Sequence, residues 1–277
     1  MNNESYYGGI RPNAMLDAIA RYQEELDVLG YTVIEGVLDT AQLEAWRKRI
    51  DTVYALQETE FGGREALTAI GEQDLCRAPL IYDEAFVQLA STPTVLELMR
   101  RVLGDWYILN LQNAIINRPD ERHHQTAWHR DLPYQNWTSS RPLALGALFA
   151  IDPFTTETGG TIVLPHSHRH DTMPSENYLL QHATQITASA GSVLIFDAMV
   201  FHRAGVNRSS QIRRGVNHLY TIPLLKQQYD FPAVLGESFS EDPAIRRLLG
   251  YDSRVPKNAL EWRRDRVKRL AATQRQQ

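Results

Sequence analysis

Trp128-His129-Arg130-Asp131-Leu132 sets an imidazole and a carboxylate two residues apart. In an extended chain, residues i and i+2 project to one face, so His129 and Asp131 converge on a single point. Two histidines and one carboxylate on one face of an octahedron form the donor set of a non-haem Fe(II) centre, with the opposite positions open. The pair is read as two of these three ligands. That reading needs the stretch to be a strand, in a fold that brings remote strands side by side.

The flanking sequence supplies such a fold. Trp106 to Ile116 is a long β-type run, residues 124–129 form another, and Leu143 to Ile151 fits a buried strand. Short strands are expected at 161–164, 184–188, 192–196, 199–202 and 213–222, separated by Gly, Pro, Asn and Ser. This grammar is that of a β-sandwich or barrel of the jelly-roll type. Before Gly104, helices dominate. Residues 14–29 carry helical apolar spacing closed by Gly30, and Tyr31-Thr32-Val33-Ile34 is a short strand. Asp39 caps a helix through Leu43, Trp46, Ile50, Val53 and Tyr54, and a loop with a short helix fills 59–79. Residues 83–103 read as helix. Two more helical patterns cover 242–249 and 258–271, the last a solvated helix of mixed charge. The expected fold is mainly β with flanking α-helices. One domain spans 1–277: a helical part to about 104, a jelly-roll core of about 105–223 and a helical extension of 224–277.

With 277 residues and 43% hydrophobic content, the chain can bury a full core. A net charge of -4 lacks the basic excess of a nucleic-acid binder. No apolar run approaches the roughly 20 residues needed to cross a bilayer, and the first residues do not resemble a signal peptide. Cys76 is the single cysteine, which excludes an intrachain disulfide and a Cys-based zinc site. A soluble cytoplasmic protein, monomer or homodimer, is expected.

The third ligand should come from a strand distant in sequence. His202, just after the apolar run Ser192-Val193-Leu194-Ile195-Phe196, is the candidate. Arg213 follows eleven residues later, at the start of another strand. A guanidinium there could grip a carboxylate of a co-substrate through two parallel hydrogen bonds.

Taken in order, these residues resemble the phytanoyl-CoA dioxygenase family. The resemblance rests on His129-x-Asp131, Gly159-Gly160-Thr161-Ile162-Val163-Leu164-Pro165-His166-Ser167-His168, Gly191 to Phe196, and His202 with Asn207, Ser209 and Arg213. It begins at Gly30 to Leu38 and runs from about 28 to 223. It departs at His166, where the family turn reads Pro-Gly-Ser-His. It implies a double-stranded β-helix (cupin-like jelly roll) and a cofactor set of Fe(II), 2-oxoglutarate and dioxygen. His129, Asp131 and His202 would be the iron triad. Arg213 would bind the distal carboxylate of 2-oxoglutarate, with Arg214 competing. Gln112 would contact the same co-substrate, with Asn113 on the other strand face as the alternative.

The implied activity is hydroxylation, or further oxidation, of an unactivated C–H bond in a small organic molecule, such as a secondary-metabolite or biosynthetic intermediate, with release of succinate and CO2. Related halogenases carry a small residue in place of the carboxylate, so Asp131 argues for oxygenation. Tyr134, Gln135 and Trp137, with Arg203 beside the distal ligand, are the candidates for the substrate mouth. His123-His124 and the His166/His168/His170 cluster are read as structural. A cupin-like jelly roll that binds metal or a small ligand without turnover is the competing reading.

Overall fold

The computed structural model describes residues 17–119 and 124–274. Its strands are β1 (Tyr31–Ile34), β2 (Leu75–Arg77), β3 (Ile108–Asn117), β4 (Ala144–Ala150), β5 (Ile162–Val163), β6 (Thr184–Gln185), β7 (Val193–Asp197), β8 (His202–Arg203) and β9 (Arg213–Thr221). Six form one sheet in the order β1-β7-β4-β9-β3-β2, with every pairing antiparallel. A smaller antiparallel sheet runs β6-β5-β8.

Alternation along the large sheet divides the molecule into two apolar layers. Leu148, Leu194, Phe196 and Ile115 point inward and pack with Val163 of the small sheet. Ala147, Phe149, Ile195, Val216 and Tyr220 point outward and pack under the helices. On β9 this sends Arg213, Gly215, Asn217 and Leu219 to the inner side and Arg214, Val216, His218 and Tyr220 to the outer.

Local chemistry fixes the flanking helices. The first helix, α1 (Ala18–Leu29), starts where the Asp17 side chain accepts from Ala20 N and stops at Gly30 in the left-handed region, φ 86°. A Cβ on Gly30 would stand 2.5 Å from His168 Nδ1, so this helix end can pack against the 165–168 turn only as glycine. The second helix, α2 (Thr40–Phe61), opens with a capping box between Asp39 and Gln42, and buries Leu43, Trp46, Ile50, Val53 and Tyr54.

Several expectations are corrected. Helices carry more of the described chain than strands do, so the architecture is mixed rather than mainly β. Residues 124–129 are not a strand: His124–Thr126 is a 3-10 turn, and His129 meets the sheet through one isolated bridge to His202. In 199–202, the residues before β8 turn instead of extending. The 83–103 segment is divided into Glu84–Phe86, Val87–Ala90 and Pro93–Leu103. The break before the last follows from Pro93, which disfavours helical backbone at Thr92, ψ 119°. Strand β2 and the helices Pro79–Tyr82, Glu176–His182 and Phe231–Leu235 have no counterpart in the sequence reading. Residues 14–16 and His123 lie outside the described residues.

Candidate active site

The structure brings His129, Asp131 and His202 together, although 70 residues of chain lie between the second and the third. One ligand atom from each lies within 4.8 Å of the other two, and no other such group occurs among the described residues. The bridge between His129 and His202 is a pair of reciprocal backbone hydrogen bonds, each 3.0 Å. Asp131 N then donates to Ala198 O at 3.1 Å. The two ligand segments are therefore clipped together by backbone before any side chain acts.

Side-chain contacts orient the donors. His129 Nδ1 donates to Ala127 O at 2.9 Å and His202 Nδ1 to Val200 O at 3.0 Å. A carbonyl can only accept, so Nδ1 carries a proton in both rings and Nε2 is the atom that a metal would take up. His202 Nε2 stands 3.5 Å from Asp131 Oδ1, and the other carboxylate oxygen, Oδ2, is buried with no hydrogen-bond partner. Burial alone would raise the Asp131 pKa, but His202, His129 and the Asn217 side chain outweigh it and hold the group below the usual carboxylate range. Two imidazole lone pairs, an ionised carboxylate and an orphaned buried oxygen fit a divalent transition metal.

Arg213 lines the same cavity as the three donors. Its side chain is 2% exposed, its guanidinium carbon lies 4.6 Å from the Phe154 ring centroid, and Nε has no hydrogen-bond partner. Burial lowers its pKa to about 10, partly offset by the more distant Asp152, so it stays charged at neutral pH. Arg214 goes the other way. It pairs with Asp51 at 2.8 Å and Asp152 at 3.0 Å on the helical side of the sheet.

Gln112 is not beside the donors. It projects to the outer face, where Oε1 accepts from Leu80 N at 3.1 Å and Nε2 donates to Phe86 O at 3.0 Å. Nε2 also lies 2.8 Å from His218 Nε2. Asn113 is buried opposite Arg77 of β2. Downstream of the motif, Tyr134 lines a second cavity, whereas Gln135 is buried and donates to Trp137 O at 2.9 Å. Trp137 is exposed. Arg203 lines the donor cavity, with its guanidinium carbon 5.3 Å from the Trp128 ring centroid. The histidine-rich turn has structural partners: His166 Nδ1 bonds Val28 O at 2.7 Å, and His168 is buried near Asp27 O. His166 takes φ 65°, so a side chain occupies the left-handed position that the family turn gives to glycine.

Two contributors escaped the sequence reading. Arg130, between the ligands, is buried and donates to Met199 O at 2.8 Å, to Asp171 O and Ser167 O, and to His170 O. It thereby ties both ligand segments to the 167–171 turn. Alternation within His-x-Asp was the signal that it must face away from the donors. Asn217 lies four residues after Arg213, on the same inward row of β9, and lines the cavity beside Asp131.

The model of the phytanoyl-CoA dioxygenase family matches residues 26–215. The chain belongs to that family. This phytanoyl-CoA dioxygenase family member is 38% identical over 273 residues to an uncharacterized protein of Mycobacterium tuberculosis (strain ATCC 25618 / H37Rv), covering 94% of this chain and 96% of the relative. It is 24% identical over 250 residues to dioxygenase af480 of Aspergillus fumigatus, covering 85% and 76%. Among solved structures, it shares a fold with the epimerase SnoN in complex with Fe3+, alpha ketoglutarate and nogalamycin RO. There the TM-score is 0.58 at 18% identity, over 82% of this chain and 93% of the other. Family membership makes the chain an enzyme of the iron- and 2-oxoglutarate-dependent dioxygenase type, in place of a non-catalytic binding module. No helix among the described residues is long and apolar enough to cross a membrane.

Proposed function

We propose that the protein hydroxylates an unactivated C–H bond of a small organic molecule, with His129, Asp131 and His202 as the iron ligands and Arg213 as the anchor of 2-oxoglutarate. The two packed sheets are read as the halves of a double-stranded β-helix, with the site between them. The observation that carries the reading is the Arg213 guanidinium: buried, charged, without a carboxylate within 4 Å among the described residues, and lining the cavity of the three donors. A buried cation of this kind is costly unless an anion joins it.

Iron, 2-oxoglutarate and dioxygen together supply the oxidising power for C–H cleavage, with succinate and CO2 as by-products. The chain's own work is positioning and shielding. Arg213 holds the far carboxylate by two charge-assisted hydrogen bonds. Gly215, between Arg213 and Asn217 on the inner row, makes room for Leu148 and Phe154, which a Cβ there would approach to 3.1 and 3.2 Å. Ile115, Leu148 and Phe196 line the cavity with apolar surface and limit water. Asp131 would be the third protein donor to the metal, which would leave chloride no place of its own. The organic substrate enters through the second cavity, which meets the first at Asp131.

Turnover under labelled dioxygen tests this reading. One labelled atom should appear in succinate and the other in the product. A chlorinated product formed in chloride buffer would overturn it.

A further inference from the structure

The cavity outside the donor site is lined by Asn110, Leu111, Asp131, Pro133, Tyr134, Leu219, Lys226, Gln227 and Gln228, and Asp131 is the residue that it shares with the donor cavity. Its walls sort into three kinds. Leu111, Pro133 and Leu219, with the Tyr134 ring, are apolar or aromatic surface. Two amides are already engaged in holding the wall. Gln227 Nε2 donates to Leu109 O at 2.7 Å and Leu249 O at 3.1 Å. Asn110 Nδ2 donates to Lys226 O at 3.0 Å, while its Oδ1 accepts from Gln228 N at 3.1 Å. The remaining kind is formal charge, carried by Asp131 and Lys226.

A divalent metal bound there would neutralise Asp131. Lys226 then stands as the uncompensated charge on the wall. It is exposed, and no carboxylate lies within 4 Å of its ammonium among the described residues. Its backbone is fixed, because residues 226–228 are bonded to β3 on both sides through Asn110 and Gln227. An ammonium carried on a fixed backbone, beside an apolar floor that ends at Asp131, is a template for an amphipathic anion. The ammonium is a compact point charge and takes any oxyanion, a carboxylate or a phosphate alike.

We infer that the substrate is an organic anion, with an apolar or aromatic body lying on Leu111, Leu219 and Tyr134 and its oxyanion held by Lys226. The inference rests on the proposed function, since it takes the outer cavity as the approach to the iron site.

Protein loaded with Mn(II) and saturating 2-oxoglutarate tests it by proton NMR of added probes, since Mn(II) broadens the signals of a molecule held close to it. The probes are 2-naphthoate, 2-naphthyl phosphate and the neutral 2-naphthamide. At least one of the two anions should broaden at a concentration some tenfold below that needed for the amide, and which one does so separates carboxylate from phosphate recognition. Lys226→Gln should remove most of that difference, and Lys226→Glu should abolish anion broadening. Equal broadening by amide and anions, no broadening by either anion, or an unchanged preference in Lys226→Gln would each overturn the inference. Failure of the underlying reading has a separate signature: the unmodified protein would give no visible charge-transfer band with Fe(II) and 2-oxoglutarate.

Discussion

Arg213 and Arg214 are neighbours on β9 and meet opposite sides of the sheet. Arg214 is fixed by Asp51 and Asp152 under α2, whereas Arg213 is enclosed with Phe154 beside the three metal donors. The pair therefore separates a cation held by carboxylates from one enclosed without a carboxylate partner among the described residues. Arg213→Ala should raise the 2-oxoglutarate concentration needed for half-maximal succinate formation by 100-fold or more while leaving thermal stability nearly unchanged. Arg214→Ala should do the reverse, costing about 1–3 kcal/mol of stability through its partly buried ion pairs and leaving the 2-oxoglutarate requirement within twofold. The opposite pattern in titrations of the two variants would reassign the anchor.

The donor set has its own test. Single substitutions His129→Ala, Asp131→Ala and His202→Ala should each abolish turnover and weaken Fe(II) binding at least tenfold, with the circular dichroism spectrum retained. A folded variant with near-normal activity would remove that residue from the triad. Arg130→Ala should also weaken metal binding, through a different route: it releases four carbonyls that join the ligand segments to the 167–171 turn. Its stability loss should be about 2–4 kcal/mol, whereas loss of a metal donor in the metal-free protein should cost far less.

Gln112 and His218 form a buried polar pair between the sheet and the helices, so Gln112→Ala is expected to act on folding. It removes hydrogen bonds to Leu80 N, Phe86 O and His218 and should lower stability by about 2–4 kcal/mol. The 2-oxoglutarate requirement of the remaining folded enzyme should not move. A raised requirement with intact stability would put Gln112 back beside the co-substrate.

Burial pushes the His218 pKa down to about 3, so the folded protein holds it neutral while the unfolded chain protonates near 6.5. The unfolded state binds the extra proton below that value. The stability His218 contributes is therefore complete above about pH 6.5 and is lost progressively as pH falls towards 3, amounting to about 2 kcal/mol at pH 5. Urea unfolding at pH 7.5 and 5 should show this loss, and His218→Leu should shrink it even though that variant is weaker at neutral pH. An equal pH slope in the variant would mean that other groups carry the acid sensitivity.

The donor residues were legible because strand alternation and motif order survive in a one-dimensional chain. The i, i+2 spacing of His129 and Asp131 was a weak signal alone and gained its weight from the ordered resemblance, which also favoured Arg213 over Arg214. Alternation said only that the two arginines face opposite sides of β9. Gln112 failed for an equally physical reason. Alternation gives two faces but not which of them is inward, and a buried glutamine satisfied by Leu80, Phe86 and His218 looks in sequence like one reserved for a ligand. The short strands also defeated periodicity. His129 joins the sheet by a single bridge, and β8 is two residues long, so pairing rather than propensity decides their conformation. Lys226 was invisible because its position depends on Asn110, more than a hundred residues earlier.

In the proposed function, one cavity holds the metal on His129, Asp131 and His202 and the co-substrate on Arg213. Anaerobic addition of Fe(II) and then 2-oxoglutarate to the purified protein measures both at once, since chelation of the metal by the keto acid gives a weak visible charge-transfer band. The unmodified protein should develop the band at about one equivalent of each. His202→Ala should lose it, and Arg213→Ala should recover it only at much higher 2-oxoglutarate. Absence of the band in unmodified protein that has demonstrably bound Fe(II) would rule out a shared site for the metal and 2-oxoglutarate.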